Sequence, residues 1–418
     1  MAQTKNFKKK IVIANLFLLF LLALSPMLLA SNAVKASNST SALTSQASTT
    51  VIVANTSPTV SCGDVSELCP SMLTLAYDMN AMQSKGINGT GQSIVIDDAC
   101  GDPNIASDLQ TFDSQWGLSN PTLNIYQPQG TPCSNADWSL ETSLDVEWAH
   151  VVAPGATINL VEAASYENND LFKDWTYALS HSLGNTISNS WINYGGGVCP
   201  SSVVKILNTA TADHVTILAA AGDEGAWGEG KTVGPSYPVD CEQVVGVGGT
   251  TLNVQSSGKY VSESAWAGSG GGYVTGVKEP TYQSSVQIKE AYKDTLAKND
   301  VSADANPSTG VLIYNAGDGG WIVVGGTSVA CPLWAAFLAD ANQVRASNGY
   351  NALGDVVPFL YTNIYGVKGS GANYTSDFHD VKTGNNGWPA GKGWDVPTGI
   401  GTFKASNLVE TLGTTSGA

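Results

Sequence analysis

Residues 321–336 read Trp-Ile-Val-Val-Gly-Gly-Thr-Ser-Val-Ala-Cys-Pro-Leu-Trp-Ala-Ala. The β-branched run Ile322-Val323-Val324 predicts a short buried strand. Gly325 and Gly326 let the chain turn sharply, and the apolar spacing that follows predicts a helix from about 328 to 344. Ser328 then stands at the head of a helix, where unpaired N–H groups and partial positive charge collect. Pro332 is placed in the first turn, where a missing N–H costs nothing. Alone, Gly-Thr-Ser reads first as an ordinary helix cap, and a nucleophile is the lesser reading.

The same punctuation recurs outward from this stretch. Strands are predicted over 93–97, 157–161, 186–191, 215–221 and 244–248, and helices over 140–152, 171–183 and 202–212. Short buried strands alternating with helices mean an α/β fold, doubly wound, with a mostly parallel sheet covered by helices on both faces. Ligands in such folds sit beyond the carboxyl ends of the strands.

Composition narrows the function. Lys and Arg number 19 against 35 Asp and Glu, a net charge of −16. So acidic a surface repels phosphate backbones and argues against a nucleic-acid partner. Charged residues make up 13 %, about half the usual ~25 %. The four histidines, His150, His181, His214 and His379, leave little room for a His-rich metal site. Lys5, Lys8, Lys9 and Lys10 precede an apolar run over 11–30 and then small residues, so residues 1–36 are expected to be a secretory signal peptide. If that segment is cleaved, no membrane association is expected; no later run is long and apolar enough to span a bilayer. Residues 37–60 are Ser/Thr-rich and read as a linker, and 61–418 as one domain. For an exported chain, seven cysteines suggest disulfides. Proximity suggests Cys62–Cys69, order along the chain allows Cys100–Cys133 and Cys199–Cys241, and Cys331 is left as a buried thiol.

Two further acidic features accompany Ser328. Glu141 and Asp145 lie at i and i+4 in Ser-Leu-Glu-Thr-Ser-Leu-Asp-Val-Glu-Trp-Ala-His (139–150) and share one helix face. With Leu140, Leu144 and Trp148 on the same helix, the pair is expected to be desolvated, with separated, coupled pKa values, so one member can act as a base in acidic water. Asp223 ends an apolar strand in Ala-Gly-Asp-Glu-Gly (221–225). It reads as a turn residue or, protonated in a dry site, as a donor to an oxyanion. No histidine has a glycine-flanked strand-to-helix setting, which excludes a Ser-His-Asp arrangement; His150 reads as a packing or surface residue.

Taken together, SLETSLDVEWAHVVAPGA, AAAGDEG, SAWAGSGGG, GWIVVGGTSVACPLWAA and DFHDVKTG…GWPAGKGWDVPTGIG resemble the sedolisin family of serine-carboxyl peptidases, from about residue 70 to 402. The resemblance implies a subtilisin-like fold with a single catalytic domain and a secreted, acid-acting serine endopeptidase on protein or peptide substrates. It makes Ser328 the nucleophile, Glu141 the general base, Asp145 its support and Asp223 the oxyanion donor. It also implies one structural Ca2+ held by Asp380, Val381, Gly391, Gly393 and Asp395, a set of hard oxygen donors that water would complete. Family members commonly carry a large N-terminal prodomain; about 60 residues precede the peptidase region here, so latency is expected to come from elsewhere or from acidity. Residues 268–272, 188–191 and 195–197 are expected to line a cleft where a peptide adds as a strand. A monomer is expected. The rival readings are a non-catalytic binding protein on a peptidase scaffold, which four intact catalytic side chains argue against, and a glycosidase. The latter fails because carboxyls one helical turn apart cannot flank a sugar bond.

Overall fold

In the computed structural model, residues 44–47, 50–54, 60–193, 197–226, 237–285 and 294–416 are described; the expected signal peptide lies outside them. The central sheet runs, edge to edge, Tyr260–Ala265, Val244–Val254, Thr216–Ala220, Thr186–Asn189, Ser93–Ala99, Thr157–Ala163 and Leu123–Tyr126, with Val301–Asp304 also paired to the long second strand. All neighbours are parallel except Tyr260–Ala265. Parallel strands need cover on both faces, and the sequences comply. Ser93–Ala99 is buried from Ile94 onward, as is Thr157–Ala163 from Ile158 onward.

Successive connections leave Ser93–Ala99 toward Thr157–Ala163 on one side and toward Thr186–Asn189 on the other. The crevice this opens at the carboxyl ends of the two central strands is where an α/β sheet takes a ligand. Helices Ala136–Val152 and Thr327–Ser347 pack on each other over the sheet. Thr327–Ser347 is apolar nearly all round, buried without a break from Thr327 to Asn342, as a core helix must be.

The strand expected over 321–324 is present as Gly320–Gly325, but outside the parallel sheet. It pairs antiparallel with Gly310–Asn315 and Thr50–Ala54 in a separate four-stranded sheet that includes Glu67–Leu68. The glycine-rich Ala-Gly-Asp-Gly (316–319) closes a hairpin there, whereas a parallel partner would have needed a crossover. Pro332 is likewise not in the first turn: the helix begins at Thr327 and Pro332 lies inside it. Its missing N–H deprives the Ser328 carbonyl of a helical donor, and the Ser190 hydroxyl faces that carbonyl at 3.5 Å.

The segment read as a linker over 37–60 is partly sheet. Gln46–Ala47 pairs with Trp191–Ile192, and Thr50–Ala54 with Ile322–Gly325. Its Ser/Thr content hides strands because the hydrogen bonds go to edges that no local pattern reveals. The disulfides are Cys62–Cys69, Cys100–Cys133 and Cys199–Cys241, and Cys331 is a buried thiol.

Low charge content conceals many acids in the interior. Burial pushes the carboxyls of Asp98, Asp174 and Asp240 up to about 7 and that of Asp355 up to about 6. A carboxyl with a raised native pKa holds a proton that the unfolded chain has already lost. The native state therefore binds more protons between about pH 4 and 7, and stability falls as pH rises through that window. His379, lowered to about 4 by burial, opposes this below its unfolded pKa but is one group against several. The thermal midpoint is expected to be higher at pH 4.5 than at pH 7.5 by several degrees in calorimetry; a higher midpoint at pH 7.5 would contradict this balance.

Candidate active site

Helix Ala136–Val152 starts at Asn135, whose side chain accepts from the Trp138 N–H. It presents Glu141 and Asp145 inward, both fully buried. Burial is the largest cause raising the Glu141 carboxyl well above its ordinary range, and the adjoining Asp145 charge adds to it. Burial likewise raises Asp145, with the Asp98 charge next. The two carboxyls adjoin in this dry interior, where ionisation of one opposes ionisation of the other. The pair thus holds one charge more readily than two.

Ser328 stands second in its helix and is fully buried. Its hydroxyl lies within hydrogen-bonding reach of Glu141 and 3.4 Å from the Ser190 carbonyl. Gly326 caps this helix at φ +120°, which an L side chain resists. A Cβ on Gly325 would approach the Pro307 backbone to 2.5 Å. Both glycines are therefore needed to bring Ser328 inward, toward Glu141 rather than toward solvent. Ser190, just past the end of Thr186–Asn189, donates to Asp145 Oδ1 at 2.8 Å. One side chain thus touches both the acid pair and the head of the serine helix.

Asp223 follows strand Thr216–Ala220 through Gly222 at φ +96°. Its Oδ1 accepts from the Thr327 N–H at 2.8 Å and the Thr327 hydroxyl at 3.0 Å. Thr327 Oγ1 in turn accepts from the Gly222 N–H at 2.9 Å. The carboxyl is thereby tied to the first turn of the serine helix, and its charge reaches Glu141. The run 268–272 braces this turn: Gly270 N–H donates to the Gly222 carbonyl at 2.7 Å, and a Cβ on Gly270 would sit 1.9 Å from the Ala221 carbonyl oxygen. Of the loop 195–197, only Gly197 is described, and it donates to Asp240 at 2.6 Å.

The structure thus gathers Glu141, Asp145, Asp223 and Ser328. It adds Asp98, fully buried at the end of Ser93–Ala99, whose charge raises both members of the acid pair. Two acids closing an apolar strand in Ser-Ile-Val-Ile-Asp-Asp-Ala were the available signal for it; Ser190 had none beyond its place at a strand end. The histidines are engaged elsewhere. His150 packs at 3.3 Å from Asp113, both fully buried, and His379 stacks on Tyr260.

The expected calcium residues share one loop region. Asp380 Oδ1 accepts from the Gly393 N–H, and Asp395 Oδ2 from the Gly391 N–H, both at 2.8 Å. Burial, with Asp380's charge adding, holds the Asp395 carboxyl up at about 7, a cost that a divalent cation would offset. Among the described residues no cluster of three or more His, Cys, Asp or Glu side chains is placed for a metal. An ion here would therefore draw on backbone carbonyls of Val381, Gly391 and Gly393 beside two carboxylates, a donor chemistry that suits Ca2+.

The subtilase family model matches residues 130–353, just over half the chain. Sedolisin of Pseudomonas sp. (strain 101) is 30 % identical over 339 residues, covering 72 % of this chain and 54 % of that protein. Kumamolisin of Bacillus sp. (strain MN-32) is 31 % identical over 361 residues, 78 % of this chain and 61 % of its own length. Human tripeptidyl-peptidase 1 is 26 % identical over 376 residues, 82 % and 64 % respectively. The chain therefore spans less than two thirds of the length of these curated relatives. Among solved structures, Pseudomonas sedolisin complexed with two molecules of pseudo-iodotyrostatin superposes with a TM-score of 0.70 at 28 % identity, covering 84 % of this chain and 99 % of that one.

Replacing Asp98 by Asn removes a carboxyl that, once ionised above about pH 7, disfavours ionisation of the pair. Carboxyl titration by 13C NMR is expected to show the upper part of the Glu141/Asp145 titration moved to lower pH; an unchanged or raised titration would contradict the coupling.

Proposed function

The chain belongs to the subtilase family, on its sedolisin branch, and from that premise we propose that it is a serine-carboxyl endopeptidase cleaving peptide bonds in acid. The observation that carries this reading is the buried contact of the Ser328 hydroxyl with Glu141, which adjoins the buried carboxyl of Asp145. Glu141 takes the Ser328 proton as Oγ attacks the scissile carbonyl, and Asp145 steadies the charge relation of the pair. Asp223, protonated on the oxygen not held by Thr327, donates to the oxyanion, assisted by the positive end of the serine helix. Glu141 then returns its proton to the leaving amine, leaving an acyl-enzyme on Ser328. Water, deprotonated by the same carboxylate, releases the acid product and restores the serine.

One feature favours acidic operation: Asp223 must keep a proton to donate, while the acid pair needs only one of its two carboxyls ionised to act as base. A peptide would extend along the edge of Trp191–Ile192, the edge that residues Gln46–Ala47 hold in the full chain. The basic and apolar N-terminal run supports secretion, and no helix among the described residues is long and apolar enough to cross a membrane. We further assign Ca2+ a structural role. Asp380, Asp395 and the carbonyls of Val381, Gly391 and Gly393 would hold it, and it would supply the countercharge that pins this loop.

Ser328→Ala is expected to lower kcat on denatured protein at pH 4 by at least ~10³-fold with the fold retained. Asp223→Asn supplies a donor that needs no proton, so any residual activity should extend to higher pH than in the wild type. Wild-type turnover by Ser328→Ala, or an optimum above neutrality, would refute the assignment. For calcium, a chelator is expected to lower the thermal midpoint, and Asp395→Ala to abolish that response. An identical midpoint with and without the chelator would remove the ion.

A further inference from the structure

A cavity of about 340 Å³ is lined by Lys368, Lys382, Lys392 and Lys404, with His379 and Tyr260. Four of the 19 basic residues of a chain carrying net charge −16 thus face one space. By contrast, a cavity of about 620 Å³ elsewhere is bordered by the acids Asp102 and Glu162.

The lysines arrive from separate elements, so this is no charge run in the sequence. Lys368 sits in the short turn Val367–Gly369 and Lys392 between Gly391 and Gly393. Lys382 follows strand Phe378–His379, and Lys404 follows Thr402–Phe403, its antiparallel partner. Two of these placements work against a local preference. Lys368 takes φ +54°, a left-handed conformation that a lysine rarely adopts. Lys404 is the N-cap of helix Ala405–Thr414, the end where a cation is disfavoured. Its Nζ is fixed by donating to the Thr375 carbonyl at 2.6 Å. The one carboxylate on the wall, Asp380, is engaged by the Gly393 N–H at 2.8 Å and by Lys382 at 3.3 Å. Lys368 and Lys392, both exposed and in no ion pair with a carboxylate among the described residues, line the cavity with Lys404 beside a ring wall, where Tyr260 and His379 stack at 3.9 Å between centroids. Like charges brought together repel unless an anion lies among them.

We propose that this cavity is a binding site for a tetrahedral oxyanion, sulfate or phosphate, free or as a small ester. Lys368, Lys392 and Lys404 hold the oxygens as point charges, the role in which lysine binds such groups. The ring wall accommodates the carrier of an ester. The site involves none of the four residues assigned to catalysis.

The test uses the full chain carrying Ser328→Ala, which prevents self-digestion, with calcium held constant because Asp380 and Gly393 are shared with the proposed ion site. Sodium sulfate is titrated against sodium chloride at equal ionic strength by calorimetry and thermal midpoint, and a sulfated monosaccharide is titrated in parallel. Saturable sulfate binding is expected where chloride shows none. At least tenfold weaker binding is expected in Lys368→Gln/Lys392→Gln and in Lys404→Gln, with none lost in the control Lys205→Gln. Tighter binding of the sulfated sugar assigns the site to esters, and equal binding assigns it to the free ion. Sulfate indistinguishable from chloride, or unweakened binding in the correctly folded lysine variants, overturns the proposal.

Discussion

Everything in this molecule turns on two carboxyls, Glu141 and Asp145, taken out of water one helical turn apart. On a surface helix their repulsion would be screened and of little consequence. In the interior both cannot ionise cheaply, so the pair keeps a proton between its members. That proton makes the site chemically useful, because one carboxylate remains to receive a proton from a hydroxyl placed against it. Ser328 is that hydroxyl, and the positive end of its helix faces the side on which negative charge would develop.

The fold serves this constraint. The reversal of winding beside Ser93–Ala99 opens the crevice. Its neighbour Thr186–Asn189 delivers Ser190 to Asp145, and the next strand, Thr216–Ala220, delivers Asp223. The antiparallel hairpin Gly310–Asn315/Gly320–Gly325 lies outside the main sheet. It brings Thr327 and Ser328 in so that Thr327 ties Asp223 to the serine helix. Glycine serves two purposes here: a left-handed turn at Gly326, and close backbone approach at Gly325 and Gly270.

What could be read from the chain alone was whatever has a local period or a local break. Glu141 and Asp145 show in helical spacing, Ser328 in a strand–glycine–helix transition, and Asp223 at the end of an apolar run. The parallel core strands show as β-branched bursts. What escaped depends on partners far along the chain. Asp98 matters only because its strand end meets the helix of Glu141. Ser190 becomes a link between the acid pair and Ser328 only in three dimensions. The strands at 46–47 and 50–54 look like linker because their hydrogen bonds go to residues 191–192 and 322–325. Residues 321–324 were legible as a strand but not as antiparallel, since pairing direction depends on the hairpin at 316–319. The lysine cavity is the extreme case: four isolated lysines in an acidic chain have no pattern until the C-terminal strands assemble them.

The claim that a carboxyl rather than an imidazole activates the serine is tested most directly by following acylation itself. A peptide ester is mixed rapidly with wild type and with Glu141→Gln at pH 4, and the acyl adduct on Ser328 is quantified by mass spectrometry against time. The account predicts rapid accumulation of one adduct per wild-type chain and acylation at least ~10³-fold slower in Glu141→Gln. Acylation of the variant at the wild-type rate would contradict it.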